Sequence, residues 1–535
     1  MRITAGTLLR LLLILVVATA CDGNPDPSPI TGPISVLYRG NGGDPVSLDP
    51  ALAEDVHSFN ILTDLYEGLV AESATGEVVP GVAESWTISE DGLTYTFKLR
   101  DGARWSNGDP VTSVDFLNAL RRVAQPATAS VYSFLLEPIL HFTEVQNGSL
   151  PAQQLGVVAI DERTLEIRVV EPTAHMLSLL SMPIAFPVSA SAVLSDDFSD
   201  PESFVGNGAY SLLSRTIGGP IRLRRNPVYW DAESVEIEEV VYLPIVDPGT
   251  ELNMYRAGEI DITNTIPPER VQVLKESMPG HVRIAPMLAL YYLAFDLTEP
   301  PLDNVLLRQA LSMAIDRERL VSLIGRGEQP AYAIVPSGVA GHVGAEFAWR
   351  NSPLEMRESL ARDLYKKSGY DEKSPLKIRY TYDTGDIHEK VALAVSSMWR
   401  EVLGVEVILE KMEWQYFLET RERRSDWQVM RFAWFGDYNH ASTFTNIFRS
   451  ADPQNLSRYR NPEYDRLLAD DAPGTRGAIA TRRFTDAETL LLDDHPIAPL
   501  YFFVSKHLVS PKIGGFEDNV LDRHPSKYLF LEGGS

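Results

Sequence analysis

The sequence has 535 residues but only one cysteine, Cys21. A single thiol cannot form a disulfide within the chain, so the fold depends on noncovalent contacts alone. Cys21 follows an apolar stretch, residues 11–20, and the residues before it include Arg2 and Arg10. A basic start and a short apolar stretch are typical of a secretory signal, and the stretch is too short to span a membrane. We therefore predict that residues 1–20 are a signal peptide.

Basic residues are also few, since the sequence has 48 Lys and Arg but 73 Asp and Glu, which gives a formal net charge of −25. Nucleic-acid binding needs basic surface that displaces counterions, so this balance argues against nucleic acid as a partner. The contents of 44% hydrophobic and 23% charged residues are ordinary for a soluble globular protein. The chain is too long for one ordinary core, so we expect two or three lobes.

No further apolar run of membrane-spanning length follows residue 20. Residues 22–33 are rich in Pro, Gly, Ser and Asp, a composition typical of a flexible tether. The small residues before Cys21 resemble a bacterial lipobox, which implies that Cys21 is lipidated and that residues 21–33 form a lipid-anchored tether. Asp22 resembles the inner-membrane retention signal of Gram-negative lipoproteins. The alternative is an ordinary signal peptide cleaved nearby, with Cys21 incidental; we prefer the lipoprotein, held on the periplasmic side of the inner membrane.

Motifs that carry enzyme chemistry are missing. The sequence has no Walker loop, no strand-linked GxGxxG, no HExxH and no GxSxG. Residues 206–210, GNGAY, have two glycines at a suitable spacing but lack the third, so a tight turn is the better interpretation. The ten histidines are scattered, with no pair at the spacing of metal ligands. We therefore predict that the protein is not an enzyme and needs no cofactor or metal.

What is present is an interleaving of short alternating strands and amphipathic helices, the pattern of an α/β fold. Residues 94–100, TYTFKLR, alternate apolar and polar side chains and predict a half-buried strand. Thr112 and Asp115 have the spacing of a capping box at the start of a helix.

A second segment, residues 376–412, predicts a strand, a helix and a returning strand, which together form a βαβ unit. In this segment Asp386 and Glu389 predict another capping box, and Gly404 predicts the end of the helix.

The stretch MRFAWFGDYNHAST, residues 430–443, places a cation and an acid at the two ends of an aromatic run. Arg431 opens the run, Gly436 breaks it and Asp437 follows. From spacing alone Asp437 is better explained as a turn residue after a strand. The other interpretation is one wall of a site that binds a ligand carrying both charges.

Several segments resemble those of a known family, in the same order along the chain. They include LYEGLV, VVPGVAESWTISEDGLTYTFKLRDGARWSNGDPVTSVDF, RNPVYW, YRAGEIDIT, LDNVLLRQALSMAIDRERL and FAWFGDYNHASTF. The chain resembles the bacterial extracellular solute-binding proteins of family 5, and more closely the oligopeptide-binding proteins of ABC importers. The resemblance covers nearly the whole chain after the tether.

This resemblance implies an α/β fold of the periplasmic-binding-protein type II, with two hinged lobes and an additional third domain, the arrangement called cluster C. The implied boundaries are residues 34–66, 189–288 and 505–535 for lobe I, 67–188 for domain II and 289–504 for lobe III.

The resemblance also implies a binding site for an extended peptide between the lobes. One wall is formed by Ala433, Trp434 and Phe435, and the other by Glu54, Asp55 and Val56. The residue that pairs with the peptide's α-amino group falls on Asp437.

The physical requirements of peptide binding agree with this assignment. A protein that accepts many peptide sequences must bind what they share, which is the main chain and the two termini, and strand addition satisfies main-chain donors and acceptors. An ammonium group buried in a closed cleft needs a carboxylate beside it. An acid at the end of the strand, such as Asp437, supplies that partner.

For the peptide carboxylate, the resemblance implies Arg431, Arg421 and His388. A guanidinium can bind a carboxylate through two hydrogen bonds, and His388 lies in the first turn of a helix, where free amides favour an anion. The alternatives are an exposed basic loop for Arg421 and an ordinary surface residue for His388.

Tyr132, Trp414 and Trp434 match aromatic residues of the side-chain pockets, although core packing explains them equally well. The chain also departs from the enteric relatives. Their cysteine pair falls on Ala289 and Phe435, and their glutamate near the carboxylate end falls on Ala294. A lysine falls on Gly325, with Arg326 beside it as a substitute. These departures leave the preferred peptide length open.

We therefore expect a monomeric, membrane-tethered binding protein that delivers short peptides to ABC permease subunits in the cytoplasmic membrane. One alternative is a protein of the same fold that binds a metal complex, haem, an opine or an oligosaccharide. Another is a peptide-sensing or chaperone-like surface protein without transport.

Overall fold

The structure is a computed structural model that describes residues 35–195, 197–339, 342–423, 426–469 and 478–532. The predicted signal peptide, Cys21 and the tether lie outside the described residues. Among the described residues, no helix combines the length and the apolar character that crossing a membrane requires.

Strands occur along the whole of the described chain. In chain order they are β1 Val36–Gly40, β2 Val70–Glu72, β3 Val78–Pro80, β4 Ala83–Ile88, β5 Thr94–Leu99, β6 Val157–Asp161, β7 Thr164–Arg168, β8 Tyr210–Arg215, β9 Ile221–Arg225, β10 Glu239–Leu243, β11 Val282–Phe295, β12 Gln329–Pro330, β13 Lys377–Asp383, β14 Glu406–Met412, β15 Val429–Phe435, β16 Ile497–Leu508, β17 Ile513–Gly514 and β18 Phe530–Leu531.

Helices alternate with these strands, and short 3-10 turns such as Val131–Leu136 connect them. In chain order the helices are α1 Val56–Leu65, α2 Ser113–Ala124, α3 Phe142–Gln146, α4 Met176–Leu180, α5 Ala190–Ser195, α6 Pro248–Ala257, α7 Val271–Ser277, α8 Val305–Met313, α9 Arg317–Ile324, α10 Leu354–Lys367, α11 Asp386–Leu403, α12 Trp414–Arg423, α13 Ser442–Thr445, α14 Pro462–Ala469 and α15 Ala478–Asp494.

Two four-stranded sheets lie in the first half of the chain. One has the order β1-β10-β9-β8, with β1 and β10 parallel, and the other is antiparallel with the order β4-β5-β7-β6. The predicted strand at residues 94–100 is confirmed as β5, whose Tyr95, Phe97 and Leu99 are buried in alternation. The predicted capping box of α2 is also confirmed, because the Thr112 amide donates to the Asp115 carboxylate at 2.7 Å.

The second half of the chain forms a six-stranded sheet with the order β12-β16-β11-β15-β13-β14. The predicted βαβ unit is confirmed, since β13 and β14 pair in parallel and α11 connects them. Gly404 ends α11 with a positive φ of 75°, as predicted. The predicted cap at Asp386 is wrong by one residue: Gly385 is the N-cap, and a Cβ atom there would lie 2.7 Å from the His388 ring.

The hydrophobic cores follow these sheets. The two four-stranded sheets share one core, which contains Leu37 and Phe97, and the six-stranded sheet has its own, which contains Tyr380 and Trp399. A smaller core joins α6 and α7 to Leu508 at the end of β16. The division into lobe I, domain II and lobe III stays a prediction.

Two of the predicted lobe boundaries, 288/289 and 504/505, fall inside β11 and β16. These two long strands pair antiparallel along most of their length. Their register shifts between Pro286 and Leu290, where three residues of β11 lie opposite one residue of β16. Such a bulge bends a strand locally, so this pair is the natural place for a hinge.

Candidate functional site

One edge of β15 is open over most of its length. The strand pairs with β11 from Val429 to Phe435, but with β13 only at Val429 and Met430. From Arg431 onward the second edge therefore has no strand beside it among the described residues. An open edge of this kind offers its main-chain groups to an added strand.

The pattern of hydrogen bonds between β15 and β11 shows which residues of β15 have their main-chain groups at the open edge. The Gly436 amide donates to the Leu288 carbonyl at 2.6 Å, so Gly436 and its alternate neighbours bond to β11. The main-chain groups of Ala433 and Phe435 consequently face the open edge. The main chain of Trp434 faces β11, so only two of the three residues predicted for this wall can meet a ligand through their backbone.

Asp437 lies just beyond the end of this edge. Its amide donates to Thr443 Oγ1 at 3.2 Å, which fixes the turn. Within the described part of the chain its carboxylate has no ion pair and no hydrogen bond. Burial raises the pKa of Asp437 above its usual value of 3.8, because no neighbouring cation compensates for the lost water.

Asp437 lines a cavity of about 820 Å³, and many of the other lining residues lie between Asp91 and Leu179 in the sequence. The cavity is lined by three further acids, Asp91, Glu137 and Glu171, and by one cation, Arg449. His175, stacked on Tyr438 with ring centroids 4.3 Å apart, lies in the same wall. Burial lowers the pKa of His175 to about 3, so this histidine brings no positive charge to the cavity at neutral pH. The cavity suits a cationic group.

The segment predicted as the opposite wall, Glu54 to Val56, leads into helix α1. Asp55 is the N-cap of α1: its carboxylate accepts the Ser58 amide at 2.9 Å, and its carbonyl accepts the Phe59 amide at 3.0 Å. Val56 is the first helical residue and is 61% exposed. The Asp55 backbone is extended, with φ −134° and ψ 155°, so its capping role is compatible with an extended segment at Glu54 and Asp55.

Tyr132 connects the two walls. It lies on the 3-10 turn Val131–Leu136 and contacts Phe59 edge to face, with ring centroids 5.8 Å apart. Burial raises the pKa of the Tyr132 phenol, and the negative charges of Asp437 and Glu54 raise it further. The Tyr132 phenol therefore lies within electrostatic range of both acids.

Arg431, predicted to bind the peptide carboxylate, is already paired. Its Nε atom donates to Asp383 Oδ1 at 2.5 Å, and a second guanidinium nitrogen contacts the same oxygen. Both side chains are buried, at 8% exposure each, and the guanidinium lies 4.8 Å from the centroid of the Phe417 ring. The role predicted for Arg431 at the peptide carboxylate stays a prediction, and in this structure its guanidinium is engaged by Asp383.

His388 belongs to the same group of side chains. Its Nε2 atom lies 3.9 Å from Asp383 Oδ1, and its Nδ1 atom lies 3.2 Å from the Tyr291 hydroxyl. Burial, together with the positive charge of Arg431, lowers the pKa of His388 to about 4. At neutral pH His388 is uncharged and can contribute a hydrogen bond but no charge.

Two arginines near this end have no ion pair among the described residues. The Arg421 guanidinium lies 5.6 Å from the centroid of the Phe432 ring. Arg326 is close enough to His388 for its charge to lower the pKa of that histidine. Because Phe432 and Arg431 point to opposite faces of β15, these two arginines approach the strand from different faces.

The aromatic residues predicted to line side-chain pockets differ in their exposure and contacts. Trp414 is 45% exposed and stacks on Phe417 with ring centroids 6.0 Å apart. Trp434 is half-buried, and its indole nitrogen has no hydrogen-bond partner among the residues that the structure describes. Phe435, 55% exposed beside Phe503, was not predicted as a pocket residue. Ala289 lies directly opposite Phe435. This is the register expected for the two positions that align with the cysteine pair of the enteric relatives.

Comparison with known proteins gives concordant results. Residues 77–455 match the family described as bacterial extracellular solute-binding proteins, family 5 (middle region). The periplasmic oligopeptide-binding protein OppA of Salmonella typhimurium is 37% identical over 529 residues, which cover 97% of this chain and 97% of OppA.

Solved structures confirm the predicted fold class. An unliganded open form of the periplasmic murein tripeptide-binding protein MppA superposes with a TM-score of 0.90 at 34% identity, covering 94% of this chain and 98% of MppA. Haemophilus influenzae OppA in complex with the peptide RPPGFSPFR gives 0.68 at 33% identity, covering 93% and 99%. At nearly equal identity, the arrangement of this chain is closer to the open form than to that peptide complex.

Proposed function

Because the chain belongs to the bacterial extracellular solute-binding proteins of family 5, we propose that it binds oligopeptides and delivers them to an ABC importer. The observation that carries this proposal is the open edge of β15, which ends at the uncompensated carboxylate of Asp437. An extended peptide can add to the edge as a strand while its α-amino group meets Asp437. A ligand without an ammonium group would leave this carboxylate unpaired.

The main chain of the peptide is bound by Ala433 and Phe435 on one side and by Glu54 on the other. Its carboxylate requires a cation that the protein has not already neutralised. Arg421 and Arg326 are the candidates, and His388 adds a neutral hydrogen-bonding group. Tyr132, Trp414 and Trp434 line pockets for side chains, in which water adapts the fit to different peptides.

Transport requires that the protein respond to its ligand by closing. The bulged pair β11 and β16 acts as the hinge between the lobes, and the likeness to an open, unliganded relative identifies the starting state. A ligand can drive closure only by binding the closed state better. Contacts from Glu54 and Tyr132 on one side and from β15 on the other supply that difference.

In the cell, the protein is exported, its signal peptide is removed, and Cys21 is lipidated so that the body remains at the periplasmic face of the inner membrane. It acts as a monomer and presents the closed form to membrane permease subunits. It performs no chemistry on the peptide and uses no cofactor, because the importer's separate ATPase subunits supply the energy.

The proposal is tested by native mass spectrometry of the protein after gentle purification. We expect added masses that resolve into a series of short peptides. A single non-peptide mass, such as an opine or a chelated metal, would contradict peptide binding and identify a different solute. Loss of peptide uptake on deletion of the gene tests delivery, because a sensing protein would leave uptake unchanged.

A further inference from the structure

Two histidines and one aspartate meet where the end of β16 packs against the C-terminal segment. His507, near the end of β16, has its Nε2 atom 2.7 Å from Asp522 Oδ1. The Nε2 atom of His524 lies 3.3 Å from the same oxygen. These three atoms all lie within 4.8 Å of one another, and the cluster is largely buried. We call His507, Asp522 and His524 the His-Asp-His cluster.

The hydrogen bonds of His507 raise the question of what lies between its Nε2 atom and the Asp522 carboxylate. Its Nδ1 atom lies 2.8 Å from the Thr263 carbonyl oxygen, which can only accept, so Nδ1 carries a hydrogen. The Asp522 carboxylate oxygen likewise only accepts. A neutral imidazole has one hydrogen and cannot donate to both oxygens, so His507 either carries a second proton on Nε2 or shares a metal ion there with Asp522. Histidines that bind metals typically donate their other ring N–H to a carbonyl in this way.

The spacing of the cluster also suits a metal. Ligand bonds of about 2.0–2.2 Å at tetrahedral angles separate two ligand atoms by roughly 3.3–3.4 Å. The distance of 3.3 Å between His524 and Asp522 already has this value. The distance between His507 and Asp522 would have to widen by about 0.6 Å, a small rotation of the aspartate side chain.

The charges around the cluster allow an added cation. The neighbouring Arg39 donates to the His524 carbonyl at 2.7 Å and contacts the Tyr242 hydroxyl. That hydroxyl donates to the Asp64 carboxylate at 2.8 Å, so Asp64 balances the charge of Arg39. Asp522 is thus left to balance a cation held by the two histidines.

We propose that His507, Asp522 and His524 bind a divalent first-row transition metal, and that zinc fits best because nitrogen and oxygen ligands in a tetrahedral set suit it. The metal would tie β16 to the C-terminal segment. That segment also contacts β11 and the turn between β2 and β3, since the Val520 carbonyl accepts the Leu288 amide at 2.9 Å and the Asn519 side chain donates to the Ala74 carbonyl at 3.2 Å. The site does not depend on peptide binding.

The test is calorimetric titration of the chelator-treated protein with zinc, followed by absorption spectroscopy with cobalt. We expect one zinc per chain and the strong visible bands of four-coordinate cobalt. Asp522→Asn should weaken zinc binding at least tenfold and remove these bands. Asparagine suits the position because residue 522 has a φ of 54°, a left-handed conformation that asparagine tolerates well.

His524→Gln provides a second variant, with the same expected loss, if the first does not fold. The matched control is His141→Gln, a surface histidine 4.0 Å from Glu144, which should bind zinc as the parent protein does. Unchanged zinc binding in both cluster variants, or no stoichiometric zinc binding by the parent, would overturn the proposal. Equal melting temperatures of parent and variant without zinc would show that the loss concerns the metal and not the fold.

Discussion

The two ends of β15 present opposite electrostatic situations. At one end Asp437 has a carboxylate that no described residue neutralises, and burial raises its pKa. At the other end the Arg431 guanidinium is paired with Asp383 and packed on Phe417. Both ends carry a charge of the sign that a zwitterionic peptide needs. Only one of these charges is available.

This difference separates stability from binding. A buried charge that already has its partner contributes to the folded state, and removing the partner destabilises the fold. A buried charge without a partner slightly lowers the stability of the folded state. A ligand of opposite charge offsets this cost when it binds, so the charge contributes to affinity. We therefore expect substitutions at the two ends to differ in what they change.

The largest effect should come from Asp383→Asn, which leaves Arg431 buried and unpaired. We expect the free energy of unfolding to fall by about 3 kcal/mol or more. Chemical denaturation without peptide measures it. Glu463→Gln, which breaks the exposed pair with Arg466, serves as the control and should change stability little. A loss no larger than that of the control would mean that the Arg431 pair does not stabilise the fold.

Asp437→Asn should have the opposite profile, with little effect on folding and a large effect on binding. We expect peptides with a free amino group to lose about 2 kcal/mol or more of affinity, roughly 30-fold. N-acetylated peptides should bind the variant and the parent almost equally, as calorimetry can show. Glu137→Gln, in the same cavity, is the matched control. Equal losses for both kinds of peptide would remove the role given to Asp437.

A smaller effect is expected at the carboxylate end. Arg421→Gln or Arg326→Gln should lower the preference for a free carboxylate over a C-terminal amide by about 1 kcal/mol, roughly fivefold. The comparison of the two variants across peptides of several lengths shows which arginine meets the carboxylate. If neither variant changes this preference, the carboxylate is bound elsewhere.

The smallest effect is expected for mild acidification. The carboxylate of Asp437 attracts an ammonium group only when it is ionised, and in the free protein its pKa is raised. Peptide affinity should therefore be full at neutral pH and fall as the pH drops through this raised pKa. The decline should be a few-fold near this pKa and approach the roughly 30-fold loss of Asp437→Asn at lower pH, measured by calorimetry in buffers of decreasing pH. Asp437→Asn should lack it; the same decline in the variant would assign it to another group.

Local patterns predicted much of the fold. The strand at residues 94–100, the capping box of Thr112 and the βαβ unit each depend on residues close together in the sequence, and all three are present. The site at β15 was found through the order of the family motifs. Spacing alone favoured a turn for Asp437, and the structure shows that the turn and the uncompensated carboxylate coexist.

Features that depend on residues far apart were missed. Nothing near Arg431 in the sequence indicates Asp383, because the two meet only where β13 and β15 lie side by side. The His-Asp-His cluster went unnoticed because His507 and His524 come together only through the path of the C-terminal segment.

The open edge of β15 has a consequence for the protein without ligand. Exposed strand edges are the places where identical chains pair and begin to aggregate. Here the edge ends at a desolvated negative charge, so a second copy pairing with it in parallel register would bring two such acids near each other without a cation. The same carboxylate that binds the α-amino group of a peptide thereby disfavours self-association of the protein through this edge.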